Sequence, residues 1–315
     1  MCKVKKDSNR EETQKDSVDE RLSLRDFFDP KQPWDLRDRL PYNSIRTMFK
    51  YLPMKFTEGP WKPVATWTLL LLLSSVLSLT IDSNIKYYAS NNNNNNNNNE
   101  SIMNEFVGDK SYPAFTMAWY YNVALFFWMA YVSWCIYDQS KSFRAWIFFT
   151  IWSWTMMCIR HGLCALAPFL PSVRLWIGIL RFPVLLSASV TFGIWNFVLL
   201  PVITMVFLKG EKRSNFLQFA FKWWMCQIHI CNILFAYLNA VFFEPKAQGL
   251  HQGDVNAVVV YLVAYMLFYY CILDRIGIQL YPIFSPRTYI CIPSWLMVAG
   301  ICLGNYVFWN NILTA

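Results

Sequence analysis

The stretch that decides the fold is FKWWMCQIHICNILFAYLNAVFF, residues 221–243, which is apolar except for one polar stripe. On a helix, His229, Asn232, Ala236 and Asn239 recur every three or four residues and share one face, and large apolar residues cover the rest. Burying imidazole and amide groups in hydrocarbon without partners costs several kcal/mol for each group. The pattern therefore predicts a membrane-spanning helix whose polar stripe faces other helices or an internal cavity.

The rest of the chain has the composition of a polytopic membrane protein. It is 55% hydrophobic and 18% aromatic, and only 15% of its 315 residues are charged. The nine cysteines lie mostly in apolar runs, so we expect them to behave as small apolar residues and predict neither disulfides nor a metal site. Windows of about 20 apolar residues predict an all-α bundle of seven membrane-spanning helices, near residues 63–82, 115–137, 144–167, 182–208, 217–243, 255–273 and 288–312.

This pattern divides the chain into four segments. Residues 1–60 are expected to form a charged, partly disordered cytoplasmic tail, and residues 61–82 an extra membrane-spanning helix ahead of the core. Residues 83–114 form a linker with nine consecutive asparagines, Asn91 to Asn99, which cannot build a core. Residues 115–312 make up a six-helix membrane core.

Loop charge predicts the orientation, because Lys and Arg accumulate on the cytoplasmic side of short loops. With the amino terminus inside, the cytoplasmic flanks 44–62, 138–144, 209–222 and 274–287 hold twelve Lys and Arg, and the opposite flanks hold six. We therefore expect an integral protein of the endoplasmic reticulum or plasma membrane with a cytoplasmic amino terminus. Asn99-Glu100-Ser101 matches the N-glycosylation sequon and would then be lumenal. The net charge of +8 lies mainly in the loops and the tail, so no nucleic-acid surface is predicted.

The predicted third span carries a second polar face. Six residues fall on one side at helical spacing: Thr150, Ser153, Met157, Arg160, His161 and Cys164. We expect Arg160 and His161 to mark the far end of this span, with Arg160 extending its guanidinium to the membrane interface. Both polar faces also have a structural interpretation, because Thr often bonds a carbonyl of its own helix and buried His often joins two helices.

Four short motifs, in order, resemble the membrane family that includes rolling stone, androgen-induced protein and the androgen-dependent regulator of tissue-factor-pathway inhibitor. A threonine follows an aromatic run at Trp146-Ile147-Phe148-Phe149-Thr150, and Phe182-Pro183-Val184 opens the next helix. A tryptophan-histidine helix runs from Trp223 to His229, and Gly277 with Tyr281-Pro282-x-Phe284 precedes the last span. The resemblance covers residues 115–312.

Members of that family are intramembrane threonine hydrolases that cleave fatty acid esters of hydroxy fatty acids, so the resemblance implies Thr150 as the nucleophile and His229 as its base. A Thr hydroxyl needs a base within hydrogen-bond reach, and a neutral imidazole can provide it. At 1.5 Å per residue, Thr150 is about 9 Å and His229 about 18 Å inside the cytoplasmic ends of their spans. Tilt and side-chain reach can close that difference. Met225, Cys226 and Gln227 stand where the animal members have a histidine or an Asn-His step.

Other residues are assigned to the surroundings of this pair. Asn232, one turn beyond His229, could orient the imidazole or stabilise an oxyanion. Arg144 or Lys222 could hold a free carboxylate. The walls of the site are expected to be Phe148, Trp152, Trp224 and Phe235.

The substrate implied is a long-chain lipid ester taken from the bilayer, and no cofactor is expected. Two other classes of protein stay open. One is a non-enzymatic membrane protein for adhesion, fusion or signalling. The other is an electron carrier, although three histidines cannot hold two haems.

Overall fold

The computed structural model describes residues 60–94, 112–140, 143–244, 249–274 and 281–314, and all regular structure in these residues is helical. Most of the predicted tail, and Asn99 of the predicted sequon, lie outside the described residues. The main helices are α1 (Pro63–Asn94), α2 (Met117–Ser140), α3 (Phe149–Leu166), α4 (Arg174–Gly193), α5 (Gly210–Ala220), α6 (Trp223–Phe243), α7 (Gln252–Asp274) and α8 (Cys291–Thr314). Two π-helical segments, Ile194–Leu199 and Val202–Phe207, extend α4.

Five of the described helices are long and apolar enough to cross a membrane: α1 as far as Ser83, α4 with its extension over Arg181–Met205, α6, α7 and α8. The helices α2 and α3 are not among them, although they have 24 and 18 residues. Helix α2 is rich in Trp and Tyr, and α3 contains Arg160 and His161. The all-helical fold with several membrane-length helices is confirmed, and the number of seven crossings stays a prediction.

One end of the bundle is closed by a buried ion pair, which we call the clasp. The Asp274 carboxylate at the end of α7 accepts hydrogen bonds from Trp61 Nε1 (2.5 Å), Ser285 Oγ (2.6 Å) and Arg287 Nε (3.2 Å). The side chains of Asp274 and Arg287 are completely buried. The Lys62 backbone N–H also donates to the Pro286 carbonyl at 2.9 Å. The clasp therefore joins the start of α1, the end of α7 and the segment 281–287 before α8.

The opposite end is held by a second buried ion cluster. Glu244, directly after α6, pairs with Arg160 near the end of α3 and with Arg181 in α4. All three side chains are almost entirely buried. The prediction that Arg160 reaches the membrane interface is therefore wrong, because Glu244 supplies a counter-ion inside the protein. Beside this cluster, His161 Nδ1 is 2.7 Å from Asn122 Oδ1 at the start of α2.

These contacts fix the relative directions of the helices. The starts of α1 and α8 and the end of α7 meet at the clasp end. The end of α6 meets the later part of α3 and the first part of α4 at the Glu244 end, where α2 begins. Consecutive long helices, with the short α5 left out, therefore alternate in direction through the described bundle.

Two predicted boundaries differ from the structure, and the start of the fourth span agrees with it. That span is predicted to begin near 182, and the apolar part of α4 long enough to cross a membrane begins at Arg181, although the helix itself starts at Arg174 and contains Pro183. Proline is tolerated there because neighbouring helices can compensate for the missing N–H. The fifth begins at 217, but the extended backbone at Lys222 separates the mostly exposed α5 from α6. Helix α1 also runs to Asn94, so the predicted linker is helical over its first part.

The inward orientation of the polar stripe on α6 is confirmed. The exposed fraction is 5% for His229, 1% for Asn232 and 2% for Asn239, whereas it is 51% for Leu234 and 65% for Phe242. The hydrophobic core around this stripe is formed by side chains of α2, α3, α4 and α6, together with Val258 of α7 and Trp309 and Leu313 of α8. A second hydrophobic cluster joins α1, α7 and α8 near the clasp.

Candidate functional site

His229 lies in a distorted part of α6. The segment Gln227–Cys231 is π-helical, and such turns interrupt α-helices frequently at functional sites. The imidazole stacks on the indole of Trp195, with ring centroids 3.9 Å apart and planes 13° from parallel. The next residue on that helix, Asn196, donates from Nδ2 to the His229 carbonyl at 3.1 Å. The extension of α4 therefore fixes both the ring and the backbone of His229.

Several side-chain polar atoms on α4 and α6 are buried without a hydrogen-bond partner among the described residues. They include His229 Nδ1, Asn232 Nδ2, Thr191 Oγ1 and Trp224 Nε1. Leaving a buried donor or acceptor unsatisfied costs about 1–3 kcal/mol, so such groups usually contact water or a ligand. The interior facing α6 therefore has unused hydrogen-bonding capacity.

Asn232 does not perform the predicted orienting role in this structure. Its Oδ1 accepts the backbone N–H of Ile233 at 2.7 Å, and its Nδ2 has no partner in the described chain. No hydrogen bond joins Asn232 to His229. The free Nδ2 remains available as a donor to another group in the interior.

Thr150 is the second residue of α3 and is partly buried. Burial raises the pKa of Tyr281, in the segment next to the clasp, to about 12, and the nearby Phe149, Tyr265 and Thr150 act in the opposite direction. Thr150 therefore lies at a helix N-terminus, where backbone N–H groups have no intrahelical acceptor.

Contacts between aromatic rings show which of Thr150 and His229 lies nearer to the clasp end of the bundle. Thr150 lies four residues before Trp154, and His229 lies six residues before Phe235. The rings of Trp154 and Phe235 are 6.4 Å apart. At about 1.5 Å per residue, this places His229 about 3 Å nearer than Thr150 to the clasp end.

A second route gives a larger difference in depth. Ser153 Oγ donates to Ser187 Oγ of α4 at 2.9 Å, and Asn196 of the same helix bonds to His229. Counting residues along this route places His229 about 9 Å nearer than Thr150 to the clasp end. The sequence predicted the opposite order, and the start of α6 at Trp223 instead of residue 217 removes the whole of that predicted difference of about 9 Å. No hydrogen bond joins Thr150 and His229 within the described chain.

The direction of the Thr150 side chain follows from its neighbours on α3. Ser153 faces α4, and Trp154 donates from Nε1 to the Met129 carbonyl of α2 at 3.2 Å. Thr150 projects between these two directions on the helix. The Cβ of Thr150 is therefore directed between α4 and α2.

The four predicted wall residues lie in different places. Trp224 is buried and packs edge-on against Phe219, and Phe235 packs near Trp154. Phe148 contacts both hydrophobic clusters. Trp152, however, packs against Tyr265 and Phe268 of α7, on the side of α3 opposite to Thr150.

The two residues predicted to hold a free carboxylate are Arg144 and Lys222. The side chain of Arg144 lies outside the described side chains. Lys222 is exposed at the start of α6, with Nζ 6.0 Å from the centroid of the Phe219 ring. Among the described residues no three His, Cys, Asp or Glu side chains are grouped so that they could hold a metal ion.

Sequence reasoning missed three neighbours of the predicted pair. Asn196 and Trp195 were given no role in the site. Tyr281 was not placed near Thr150, because 130 residues separate the two along the chain and no local pattern links them. Comparisons with family models, with curated proteins and with solved structures found no significant match to this chain.

Proposed function

We propose that this protein is an intramembrane lipid ester hydrolase, with Thr150 as nucleophile and His229 as general base. In this proposal the chain crosses the membrane seven times, with the clasp end in the cytoplasm. The alternation of helix directions supports seven crossings, since α2 and α3 run alongside helices of membrane length. The excess of Lys and Arg in the flanks at the clasp end supports the orientation.

The observation that carries the proposal is the state of His229. A buried histidine that only joins two helices uses its ring nitrogens for that purpose. The Nδ1 atom of His229 instead has no partner in the described chain, and the ring is held flat against Trp195. Thr150 lies on the side of α3 between α4 and α2, about 3–9 Å farther than His229 from the clasp end. An oriented imidazole with a free nitrogen is what the base of a hydroxyl nucleophile requires.

The chemistry follows from these groups. The Thr150 oxygen attacks the ester carbonyl while His229 takes the hydroxyl proton. The tetrahedral intermediate then expels the alkoxide of the leaving alcohol, which receives that proton from His229, and an acyl-threonine remains. Water attacks the acyl-threonine with His229 again as base, and Thr150 and a free fatty acid are released. Asn232 Nδ2 is a candidate donor to the oxyanion.

The substrate class follows from the lining of the interior. Apolar side chains dominate the core around α3 and α6, and burying each CH₂ group contributes about 0.8 kcal/mol. Binding should therefore depend on acyl chains, as in fatty acid esters of hydroxy fatty acids. We propose that such lipids enter laterally from the cytoplasmic leaflet, with the exposed Lys222 available to hold a free carboxylate.

A second candidate is a non-enzymatic membrane protein that acts in adhesion, fusion or signalling. The observation that favours it is the absence of a hydrogen bond between Thr150 and His229 among the described residues, together with the position of Thr150 in the first turn of α3. In that case Thr150 would only help to cap α3. Chemical labelling separates the two candidates.

The test is labelling of the full chain in native membranes with an alkyl fluorophosphonate, followed by hydrolysis of a long-chain ester of a hydroxy fatty acid. Thr150→Ala should abolish labelling, and His229→Ala should reduce labelling and hydrolysis to a similar residual level. Because a nucleophile and its base act as one unit, the double variant should be no slower than either single variant. The matched control is Thr204→Ala, since Thr204 Oγ1 bonds the Leu200 carbonyl of its own helix at 2.7 Å. A folded Thr150→Ala variant that labels and hydrolyses like the wild type would eliminate the proposal.

A further inference from the structure

Two wide helical turns meet at the ring of His229. His229 lies in the π-helical segment Gln227–Cys231 of α6, and Trp195 lies in the π-helical segment Ile194–Leu199 that extends α4. The two rings stack with centroids 3.9 Å apart and planes 13° from parallel. Asn196, next to Trp195, donates from Nδ2 to the His229 carbonyl at 3.1 Å. The two turns are therefore fixed to each other, with the indole lying flat over the imidazole.

The helices around this pair of rings carry no acidic residue close to it. The segment Gln227–Cys231 packs mainly against α3 and against α4 with its extension. Asp, Glu, Lys and Arg are missing from the nearest parts of these helices and of α6, namely 149–159, 182–208 and 223–243. Glu244 follows α6 at its far end, about 22 Å from His229 along the helix axis. Among the described residues, a charge formed on the imidazole therefore has no carboxylate beside it on these helices.

The proposed reaction places a positive charge on His229. As a general base the imidazole starts neutral, takes the hydroxyl proton of Thr150 while the threonine oxygen attacks the ester carbonyl, and later passes that proton to the leaving alkoxide. The ring is a cation only between these two transfers. In Ser-His-Asp hydrolases a carboxylate stabilises the imidazolium at this stage. A different group has to do so here, because a buried charge without a partner is costly.

From this geometry we propose that Trp195 is a positioning residue for the base: its indole face orients the imidazole of His229 and stabilises the imidazolium, as the carboxylate does in a catalytic triad. The face of an aromatic ring carries partial negative charge, and tryptophan attracts cations more strongly than tyrosine or phenylalanine. The centroid separation of 3.9 Å lies well within the range of about 6 Å for this interaction. An attraction that is stronger for the cation than for the neutral ring lowers the barrier and leaves substrate binding unchanged. This inference rests on the proposed hydrolase function and adds a residue to it.

The test is site-specific replacement of Trp195 in the full chain by 5-fluoro-, 5,7-difluoro- and 5,6,7-trifluorotryptophan. Each fluorine withdraws electron density from the face of the indole, whereas the size of the ring and its stacking hardly change, so a purely structural role would not respond. We expect kcat for a long-chain ester of a hydroxy fatty acid, and the rate of fluorophosphonate labelling, to fall stepwise by at least about fivefold over the series. KM should change by less than about twofold. A kcat that stays at the wild-type value across the series overturns the proposal.

The matched control is the same fluorinated series at Trp309, which is completely buried in the same hydrophobic core and whose ring lies near those of Tyr237 and Phe308. This series should leave kcat unchanged, and an equal fall at both positions would also overturn the proposal. Trp195→Leu removes the ring and should lower kcat about 30-fold, which corresponds to about 2 kcal/mol. Failure of the hydrolase function looks different, because the wild type then labels no better than Thr150→Ala, and the role of Trp195 falls with it.

Discussion

At the residue scale, the buried charges show how one side chain can decide the structure around it. Glu244 forms ion pairs with both Arg160 and Arg181. The Asp254 carboxylate is close enough to Arg181 for a favourable electrostatic interaction. Arg174 acts on the same buried Tyr112 as Arg160 and Arg181, so this region holds three arginines and two acidic residues. Burying unbalanced guanidinium groups would be costly. The Glu244 carboxylate therefore stabilises the fold by offsetting the charges of Arg160 and Arg181.

Removing the shared acceptor should be strongly destabilising. We expect Glu244→Gln to lower the free energy of unfolding by about 3–5 kcal/mol, because two buried guanidinium groups lose their charged partner. Thermal unfolding in mild detergent measures this effect. The control is Glu211→Gln, since Glu211 is exposed in the first turn of α5. If the two variants melted at the same temperature, the Glu244 cluster would contribute nothing to stability.

At the element scale, α1 is both an added helix and a part of the clasp. Most of its surface is exposed, as the 66% exposed fraction of Trp67 illustrates, and in a membrane that surface would face lipid. Trp61, two residues before the helix, behaves differently, because it donates to Asp274 and packs edge-on against Tyr270 with ring centroids 6.2 Å apart. Through the clasp, the start of α1 is therefore joined to the end of α7 and to the segment 281–287.

The contribution of this contact can be measured with two matched tryptophan substitutions. Trp61→Phe removes a hydrogen bond to a buried carboxylate, for which we expect a loss of about 1.5–3 kcal/mol and a melting temperature lower by roughly 3–12 °C. Trp67→Phe changes an exposed ring on the same helix and should have little effect. Equal melting temperatures for the two variants would show that the clasp does not depend on α1.

The elements also show which features could be predicted from the sequence. The inward stripe with His229 follows from helical spacing, since residues three and four apart share a face. The ion pair between Arg160 and Glu244 could not be predicted in this way, because its partners are 84 residues apart. The proximity of Tyr281 to Thr150 could not be predicted for the same reason, because the two residues are far apart along the chain. The π-helical turn at Gln227–Cys231 depends on packing against α4, which local sequence does not encode.

At the scale of the whole molecule, the two ends of the bundle differ in composition and in proposed role. The clasp end contains Tyr281 and the start of α3. The side of the membrane that the clasp end faces therefore decides on which side the proposed nucleophile lies. The Glu244 end contains the structural ion cluster. The orientation of the chain therefore determines which leaflet can deliver a lipid to Thr150.

The sequon in the segment between α1 and α2 tests this orientation. If the clasp end is cytoplasmic, the opposite end of α1 is lumenal and Asn99 can receive a glycan. We expect the full chain from mammalian cells to migrate faster after endoglycosidase treatment, and Ser101→Ala, which destroys the sequon, to migrate at the faster position without treatment. Digestion of the 91–101 segment from the cytosolic face of sealed vesicles would contradict the orientation. The Thr150 end would then face the lumen, and the proposed delivery of substrate from the cytoplasmic leaflet would have to be abandoned, because α3 begins at the end opposite to that segment.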